Sequence, residues 1–237
     1  DVKEFVAKNP NASSKILKEL KEIIVNKDET LLRNKIELNF LIAKHPNICK
    51  HIHLPVQSGS NRILKEMNRL HTREEYMALI DKINAIIPNC AISQDMIAGF
   101  PTETEQDHQD TLKLMDYVKY SFGYMYSYSE RPGTLAGRKM EDDVPEETKA
   151  RRLQEIVDLQ QAHARYRTEQ YIGQTVEVLV EKVSKKSPNE FSGRNSQSIT
   201  VVFPKENYKI GDFVNVLVER TTGATLIGKA IGLSEMN

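Results

Sequence analysis

Apolar and polar positions along this chain follow three successive rhythms. Up to about residue 41 the text is charged, and Ile16, Leu20, Ile23 and Ile24 recur at helical spacing after Ser13 or Ser14, either of which could cap a helix. From Ile42 to about residue 170, short apolar runs alternate with amphipathic stretches. The first run, residues 52–56, leads through Gln57-Ser58-Gly59-Ser60 into a helix expected from Asn61, with Ser60 as its cap. Thr72 and Glu75 have the spacing of a capping box, and Tyr76, Leu79, Ile80, Ile83 and Ile87 share one face of the helix behind it. Residues 90–98 read as a buried strand closed by Gly99-Phe100-Pro101. Thr102 and Glu105 predict a second capping box, opening a helix with Leu112, Leu114, Met115 and Val118 inward. Residues 122–129 are aromatic and strand-like. Asp143, Pro145, Glu146 and Glu147 predict a helix capped by the aspartate and running to about Gln170, with Leu153, Ile156, Val157 and Leu159 inward.

This strand–helix–strand–helix–strand order predicts an α/β unit with parallel strands and right-handed crossovers, as in a barrel or an open sheet. At Tyr171-Ile172-Gly173 the grammar changes. Short alternating strands are expected at 176–180, 199–203, 213–219 and 225–231, separated by prolines and glycines. Such strands in about 65 residues predict a small closed β-barrel of OB-like size. The expected organisation is therefore an unassigned helical segment over 1–41, an α/β portion over 42–170 and a small barrel over 171–237.

Composition excludes little. At 237 residues the chain can bury two cores, and Lys plus Arg balance Asp plus Glu at 33 each, so no overall field draws it to nucleic acid. No apolar run approaches the roughly 20 residues of a membrane span, and the first ten residues lack the apolar centre of a secretion signal. A cytoplasmic protein without a membrane partner is expected. Its two cysteines, Cys49 and Cys90, lie far apart with no CxxC partner, which suggests reduced, buried thiols and no metal site.

Candidate chemistry sits where strands end and helices begin, the usual ligand end of such sheets. Gln57-Ser58-Gly59-Ser60 offers an amide, hydroxyls and a glycine, and Gly99-Phe100-Pro101-Thr102 again puts a glycine before a helix start. Both are also ordinary strand–helix turns. Asp95, inside an apolar strand, either faces a site or sits at a water-filled mouth. Arg131, after the aromatic strand, could meet an anion or simply be surface. His51 and His53 share one side of a strand, but no third ligand follows, so packing or hydrogen bonding is favoured over metal. In the small barrel, Ser184-Lys185-Lys186-Ser187 and Ser192-Gly193-Arg194-Asn195 read as a basic and a polar loop near Phe191 and Phe203, either RNA-holding or merely solvated. Residues 171–237 carry 8 Lys or Arg against 7 Asp or Glu, so any basic patch is local.

Three blocks, taken in order, are similar to the methylthiotransferase branch of the radical-SAM superfamily. They are His53 to Leu64 (HLPVQSGSNRIL), followed by Met67-Asn68-Arg69 and Thr72 to Tyr76; Ile92 to Thr104 (ISQDMIAGFPTET); and Tyr128 to Thr134 (YSERPGT). The small barrel, with Gly173, Val178 to Glu181, Ser184-Lys185, Gly193-Arg194 and Leu226-Ile227-Gly228, resembles a TRAM domain. The resemblance covers about residues 42–234. It implies the C-terminal part of a radical-SAM partial barrel followed by an RNA-binding module. The implied reaction adds a methylthio group to carbon two of isopentenyl-adenosine beside the tRNA anticodon. A sister activity on threonylcarbamoyl-adenosine is the alternative, and a non-catalytic RNA-binding remnant is another.

The resemblance also implies S-adenosylmethionine and two 4Fe-4S clusters as cofactors. The implied partners are a tRNA anticodon stem-loop and an electron donor such as flavodoxin or ferredoxin, with the protein acting as a monomer. By motif position, Gln57, Ser58, Asp95, Gly99 and Phe100 would line the S-adenosylmethionine pocket. Arg131, Lys185, Lys186 and Arg194 would contact substrate or RNA. The chain departs from the family in having no CxxxCxxC loop for a cluster, and in placing Gln94 where Thr or Asp is more usual.

Overall fold

The computed structural model describes residues 41–45 and 47–235, so the helix expected around Ile16 to Ile24 lies outside the described residues. Strands β1 (His51–His53), β2 (Ala91–Ala98) and β3 (Phe122–Ser127) form a parallel sheet in that order. Helices α1 (Asn61–Glu66) and α2 (Arg73–Ile86) connect β1 to β2, and α3 (Glu105–Val118) connects β2 to β3. A short α4 (Leu135–Lys139) and a long α5 (Glu146–Glu169) follow. The parallel crossovers are those the alternating pattern predicts.

Local chemistry sets the boundaries. Ser60 caps α1, and Thr72 with Glu75 forms a complete capping box on α2. β1 is shorter than the expected 52–56 because Pro55 has no N–H for the ladder. The chain nevertheless stays beside β2: Leu54 N donates to Ser93 O, and Gln57 N donates to Asp95 O at 2.9 Å.

Two expected caps are corrected. The box on α3 is Thr104 with Asp107, not Thr102 with Glu105. Thr102 instead occupies the left-handed region, φ 68°, in the turn after Pro101. Both pairs read Thr-x-x-acid, and the turn's geometry separates them. Asp143 does not cap α5; Pro145 holds that position, and the Asp143 carboxylate accepts the Thr102 N–H at 2.7 Å. It thereby ties the turn after β2 to the start of α5.

Helices α2, α3 and α5 cover one face of the sheet around Tyr76, Ile80, Ile83, Ile92, Met96, Leu114, Met115 and Ile156. The inward side of α5 departs from expectation. Ile156 is fully buried, whereas Leu153, Val157 and Leu159 are half-buried and Lys149, Arg152, Gln160 and His163 are buried beside them. Paired polar groups therefore join α5 to α3: Glu155 with His108 at 2.7 Å, and His163 with Asp116 at 3.0 Å.

Strands β4 (Thr175–Val183), β5 (Glu190–Arg194), β6 (Thr200–Pro204), β7 (Phe213–Thr222) and β8 (Thr225–Leu233) close into a barrel in the order β4-β5-β6-β8-β7. Five strands stand where four were expected. The polar stretch read as a loop at 192–195 is mostly β5, and its glycine is the reason it hides there. A Cβ on Gly193 would meet the Leu179 carbonyl oxygen at 2.1 Å, so only glycine lets β4 and β5 approach. Val178, Val180, Phe191, Val201, Phe203, Val214, Val216 and Leu226 fill the interior.

The barrel meets the sheet at the N-terminal ends of its strands. Lys50 N donates to Ser196 O at 2.6 Å, and Thr168 Oγ1 donates to Gly223 O at 2.6 Å. A polar cleft of about 450 Å³ at this junction is lined by Lys50, Arg167, Tyr171 and Asn195, among others. Its two cations cap backbone: the Lys50 ammonium donates to the Ile42 and His45 carbonyls, and Arg167 to those of Val118 and Lys119. No helix among the described residues is long and apolar enough to cross a membrane.

Candidate functional site

The strand tips lie at the end of the sheet away from the barrel, next to a sheet face that no helix among the described residues covers. Ser58 is fully buried, and its hydroxyl lies 3.4 Å from Thr111 Oγ1 and accepts the Ser60 N–H. Gly59 N donates to Thr111 Oγ1 at 2.9 Å, and Ser60 Oγ donates to Asp107 at 2.5 Å. Gly59 is required by proximity, since a Cβ there would stand 2.5 Å from the Asp110 carbonyl. The Gln57-Ser58-Gly59-Ser60 turn is thus fastened onto α3 by its hydroxyls.

Asp107 is the hub of that fastening. Burial works against its charge, but hydrogen bonds from Arg62, Ser60 and Thr104 hold its carboxyl well below the usual carboxylate range. Sequence reading singled out the turn and passed over Asp107, although the Thr104–Asp107 spacing was there to be read.

The second tip is held from α5. Gly99 has φ +73° and donates its N–H to Glu103 at 2.8 Å, and a Cβ there would meet Lys149 Cγ at 2.3 Å. Glu103 pairs with Arg152 at 3.0 Å in the interior. Phe100 is buried edge-on against Tyr128, ring centroids 5.2 Å apart. Lys149, itself buried, is neutralised by Asp142 at 2.6 Å and Glu146 at 2.7 Å.

The sheet face opposite the helices joins the His51–His53 pair and Asp95, expected from the sequence, to aromatic side chains of β3. Period two places His51 and His53 of β1, Ser93, Asp95 and Ile97 of β2, and Phe122, Tyr124 and Tyr126 of β3 on this one side. The register puts Asp95 beside Tyr124 and Ile97 beside Tyr126. Ser93 Oγ lies 2.9 Å from His51 Nε2 and 2.9 Å from His53 Nδ1. One hydroxyl carries one proton, so one imidazole accepts it and the other donates to the oxygen. His53 Nε2 lies 3.7 Å from Asp95, an arrangement favouring the proton on Nε2; Ser93 then donates to His53 and accepts from His51. Burial first, then neighbouring His53 and Arg194, push the His51 imidazole down to about 4, so it is neutral. The two imidazoles thus share the Ser93 hydroxyl as their hydrogen-bond partner.

The structure brings Gln57, Asp95, Gly99 and Phe100 to neighbouring positions at this end, with Gln57 paired to Met96 across the strands. Arg131 is exposed in the turn before α4, and its carbonyl accepts from Thr134. The barrel residues divide. Lys185 and Lys186 are exposed at the β4–β5 hairpin tip, where Lys205, unnoticed in the sequence, stands 5.3 Å over the Phe191 ring. Arg194 lies at the other end of β5, 3.7 Å from Glu181.

Elsewhere, Glu105, His108 and Glu155 bring potential metal ligands within 4.8 Å of one another. Arg151 already donates to both glutamates at 2.6 Å, so the group is an ion-pair network.

Comparison with known proteins supplies the frame for this geometry. Residues 5–115 match the Radical SAM superfamily model, including most of the segment left unassigned in the sequence, and residues 169–231 match the TRAM domain model. The chain is 82% identical over 197 residues to the tRNA-2-methylthio-N(6)-dimethylallyladenosine synthase of Flavobacterium johnsoniae, covering 83% of this chain and 41% of that protein. Equally named proteins of Flavobacterium psychrophilum and Christiangramia forsetii are 82% and 68% identical, each over 83% of this chain and 41% of their own length. Over these 197 residues the chain is similar to radical-SAM methylthiotransferases. It spans about two fifths of the length of the curated relatives it matches. Coproporphyrinogen III oxidase from Escherichia coli, a radical-SAM enzyme, aligns at TM-score 0.46 and 15% identity over 71% of this chain and 44% of that one, too distant to add to the argument.

The Radical SAM match implies S-adenosylmethionine and iron–sulfur chemistry in general, and the residues of this chain do not fit a cluster. A cluster needs several converging thiolates. The sequence has only Cys49 and Cys90. Burial raises both thiols, Cys90 to about 11, and the Cys90 thiol donates to the Ala91 carbonyl. No step is therefore assigned to a cluster on these residues.

Proposed function

We propose that this chain is the C-terminal part of an enzyme that adds a methylthio group to carbon two of isopentenyl-adenosine beside the tRNA anticodon. The observation that carries this is 82% identity, over 197 residues, to proteins named for that product. S-adenosylmethionine, when bound, supplies the hydrogen-abstracting radical and the methyl group. We place it at the strand tips, where Gln57 and Phe100 flank the end of β2 and Asp95 leads onto the open face.

The chain's own contribution is positioning. Asp107, Thr111 and Arg62 fix the first tip; Glu103, Arg152 and Asp143 fix the second. A tip held by buried charge-assisted bonds presents its backbone in one conformation, which orientation-dependent chemistry needs. Lys185, Lys186 and Lys205, grouped at one end of the barrel with Phe191, suit contact with RNA phosphates. Two 4Fe-4S clusters, bound outside these residues, and a flavodoxin- or ferredoxin-type electron donor complete the proposal, for a monomer acting in the cytoplasm.

The test is anaerobic reconstitution of the full-length protein with S-adenosylmethionine, reductant and tRNA carrying isopentenyl-adenosine, followed by nucleoside mass spectrometry. Appearance of the 2-methylthio nucleoside supports the proposal. Conversion of threonylcarbamoyl-adenosine instead, or RNA binding without turnover, rejects it.

A further inference from the structure

We infer that Lys149 is a positioning residue for the cofactor-binding turn at Gly99–Thr102. Its stem backs the glycine, and its ammonium anchors the segment that grips the other end of the turn. The inference rests on the proposed place of S-adenosylmethionine at the strand tips and deepens it by naming what sets the shape of one tip.

A lysine is rarely buried unless it is paired, because its ammonium is costly to remove from water. Lys149, in the first turn of α5, is 1% exposed. Burial opposes its charge, but the carboxylates of Asp142 and Glu146 outweigh that and raise the ammonium above its ordinary value. Both partners reach water, with side chains 30% and 85% exposed. Pairs with such exposed acids contribute little to stability. Were filling space the only task, methionine would do it without desolvating a charge. What lysine adds over methionine is a hold on Asp142.

Both parts of the side chain bear on the turn. A Cβ on Gly99 would stand 2.3 Å from Lys149 Cγ and 3.1 Å from its Cβ and Cδ, so the methylene stem occupies the space the glycine leaves. The ammonium donates to Asp142 at 2.6 Å, and the next residue, Asp143, accepts the Thr102 N–H at 2.7 Å. Lys149 Nζ also lies 5.9 Å from the centre of the Tyr128 ring, within reach of a cation–π contact. Tyr128 in turn donates its N–H to Ala98 O at 2.8 Å and meets Phe100 edge-on. Gly99 and Thr102 both have positive φ, 73° and 68°, and a β-branched residue persists there only where its surroundings fix it. One side chain thus supports the turn at both of its left-handed residues, directly at Gly99 and through the 142–143 segment at Thr102.

The test uses the full-length protein, reconstituted anaerobically, and follows deoxyadenosine release against S-adenosylmethionine concentration. Lys149→Met keeps an unbranched stem against Gly99 and removes the anchor. Its former partners can turn to water, so no buried charge is stranded. The expected result is a KM for S-adenosylmethionine raised roughly tenfold with kcat within about twofold, the order of one lost charge-assisted hydrogen bond. Lys149→Ala, which also empties the space behind Gly99, should raise KM further. Asp142→Asn should raise it by less, since it loosens the anchored segment while Lys149 stays paired with Glu146. Lys82→Ala, at an exposed lysine of α2, should change neither constant.

Unfolding midpoints of the same variants separate positioning from stability. KM values at the parent's level in Lys149→Met and Asp142→Asn overturn the inference whether or not the midpoints fall, because the charge then serves the fold alone. A loss confined to kcat overturns it too, since the turn would bind the cofactor unchanged. Should Lys149→Met fail to fold, Asp142→Asn decides by itself. A parent protein that cleaves S-adenosylmethionine but leaves isopentenyl-adenosine unmodified rejects the functional proposal, and this inference then stands or falls on its own KM values. A parent protein that releases no deoxyadenosine rejects both.

Discussion

Glu103 and Arg152 form a buried ion pair at 3.0 Å, with side chains 1% and 5% exposed, and Glu103 also accepts the Gly99 N–H. Through this pair α5 holds the tip of β2 from beneath. Burial raises the Glu103 carboxyl, opposed by the Gly99 N–H and the Arg152 charge, so the glutamate depends on its partner to stay ionised.

Removing one member of a buried pair strands the other. Arg152→Met is expected to destabilise the fold by about 3 kcal/mol or more, measured by urea unfolding. The double change Glu103→Leu with Arg152→Met should recover much of that loss, because no buried charge remains unpaired. A double variant as unstable as the sum of the two single variants would show that the pair is not the unit that matters.

Gly99 occupies a backbone conformation that L side chains rarely adopt, and its missing Cβ is the space Lys149 fills at 2.3 Å. Gly99→Ala is therefore expected to cost about 2 kcal/mol from strain alone, with displacement of Lys149 added to it. In the full-length protein it should slow S-adenosylmethionine cleavage, measured as deoxyadenosine release. Gly223→Ala is a useful contrast, having positive φ but nothing within 4 Å. It should carry only the backbone penalty and leave cleavage alone.

Much of this arrangement was legible in the sequence. The Ser60 cap, the Thr72–Glu75 box and the alternation of strands with helices were read from short-range spacing, and the structure keeps them. What escaped is long-range. Thr102 and Thr104 offer equivalent caps on paper, and a turn contact from Asp143, some forty residues away, decides between them. Strand β5 reads as a polar loop because it carries Ser192 and Gly193, and the glycine is needed for close approach to β4. The inner side of α5 keeps helical spacing at 149, 152, 156, 160 and 163 but is mostly polar, so an apolar stripe does not reveal it; Lys149, Arg152 and His163 are inside by virtue of their carboxylate partners. The candidate site divides the same way. Asp95 and the histidines could be named, but their meeting with Tyr124 and Tyr126 requires the register of three strands.

Asp107 links stability to pH. Its folded-state pKa is depressed, so its contribution is fully present above the unfolded value of about 4 and lost as pH falls toward the folded one. Unfolding free energy of the parent protein should therefore decline with pH below about 4. Asp107→Asn should be less stable at neutral pH and show a shallower decline in that acid window. Parallel curves for the two proteins would contradict the role given to this carboxylate.

The basic end of the barrel should act through phosphates. Lys185→Ala, Lys186→Ala and Lys205→Ala are each expected to weaken tRNA binding regardless of sequence, and to reduce the salt slope of log Kd by about 1 where a phosphate contact is lost. Filter binding across a salt series checks this. Arg194→Ala should do less, since Arg194 lies at the opposite end of β5 beside Glu181.

The most direct test of the central claim is nucleoside mass spectrometry of tRNA from cells lacking the gene, complemented with the full-length protein. In those cells 2-methylthio-isopentenyl-adenosine should disappear, unmodified isopentenyl-adenosine should accumulate in its place, and the parent gene should restore the modification. Unchanged 2-methylthio-isopentenyl-adenosine, with loss of methylthiolated threonylcarbamoyl-adenosine or of no nucleoside at all, would contradict the claim.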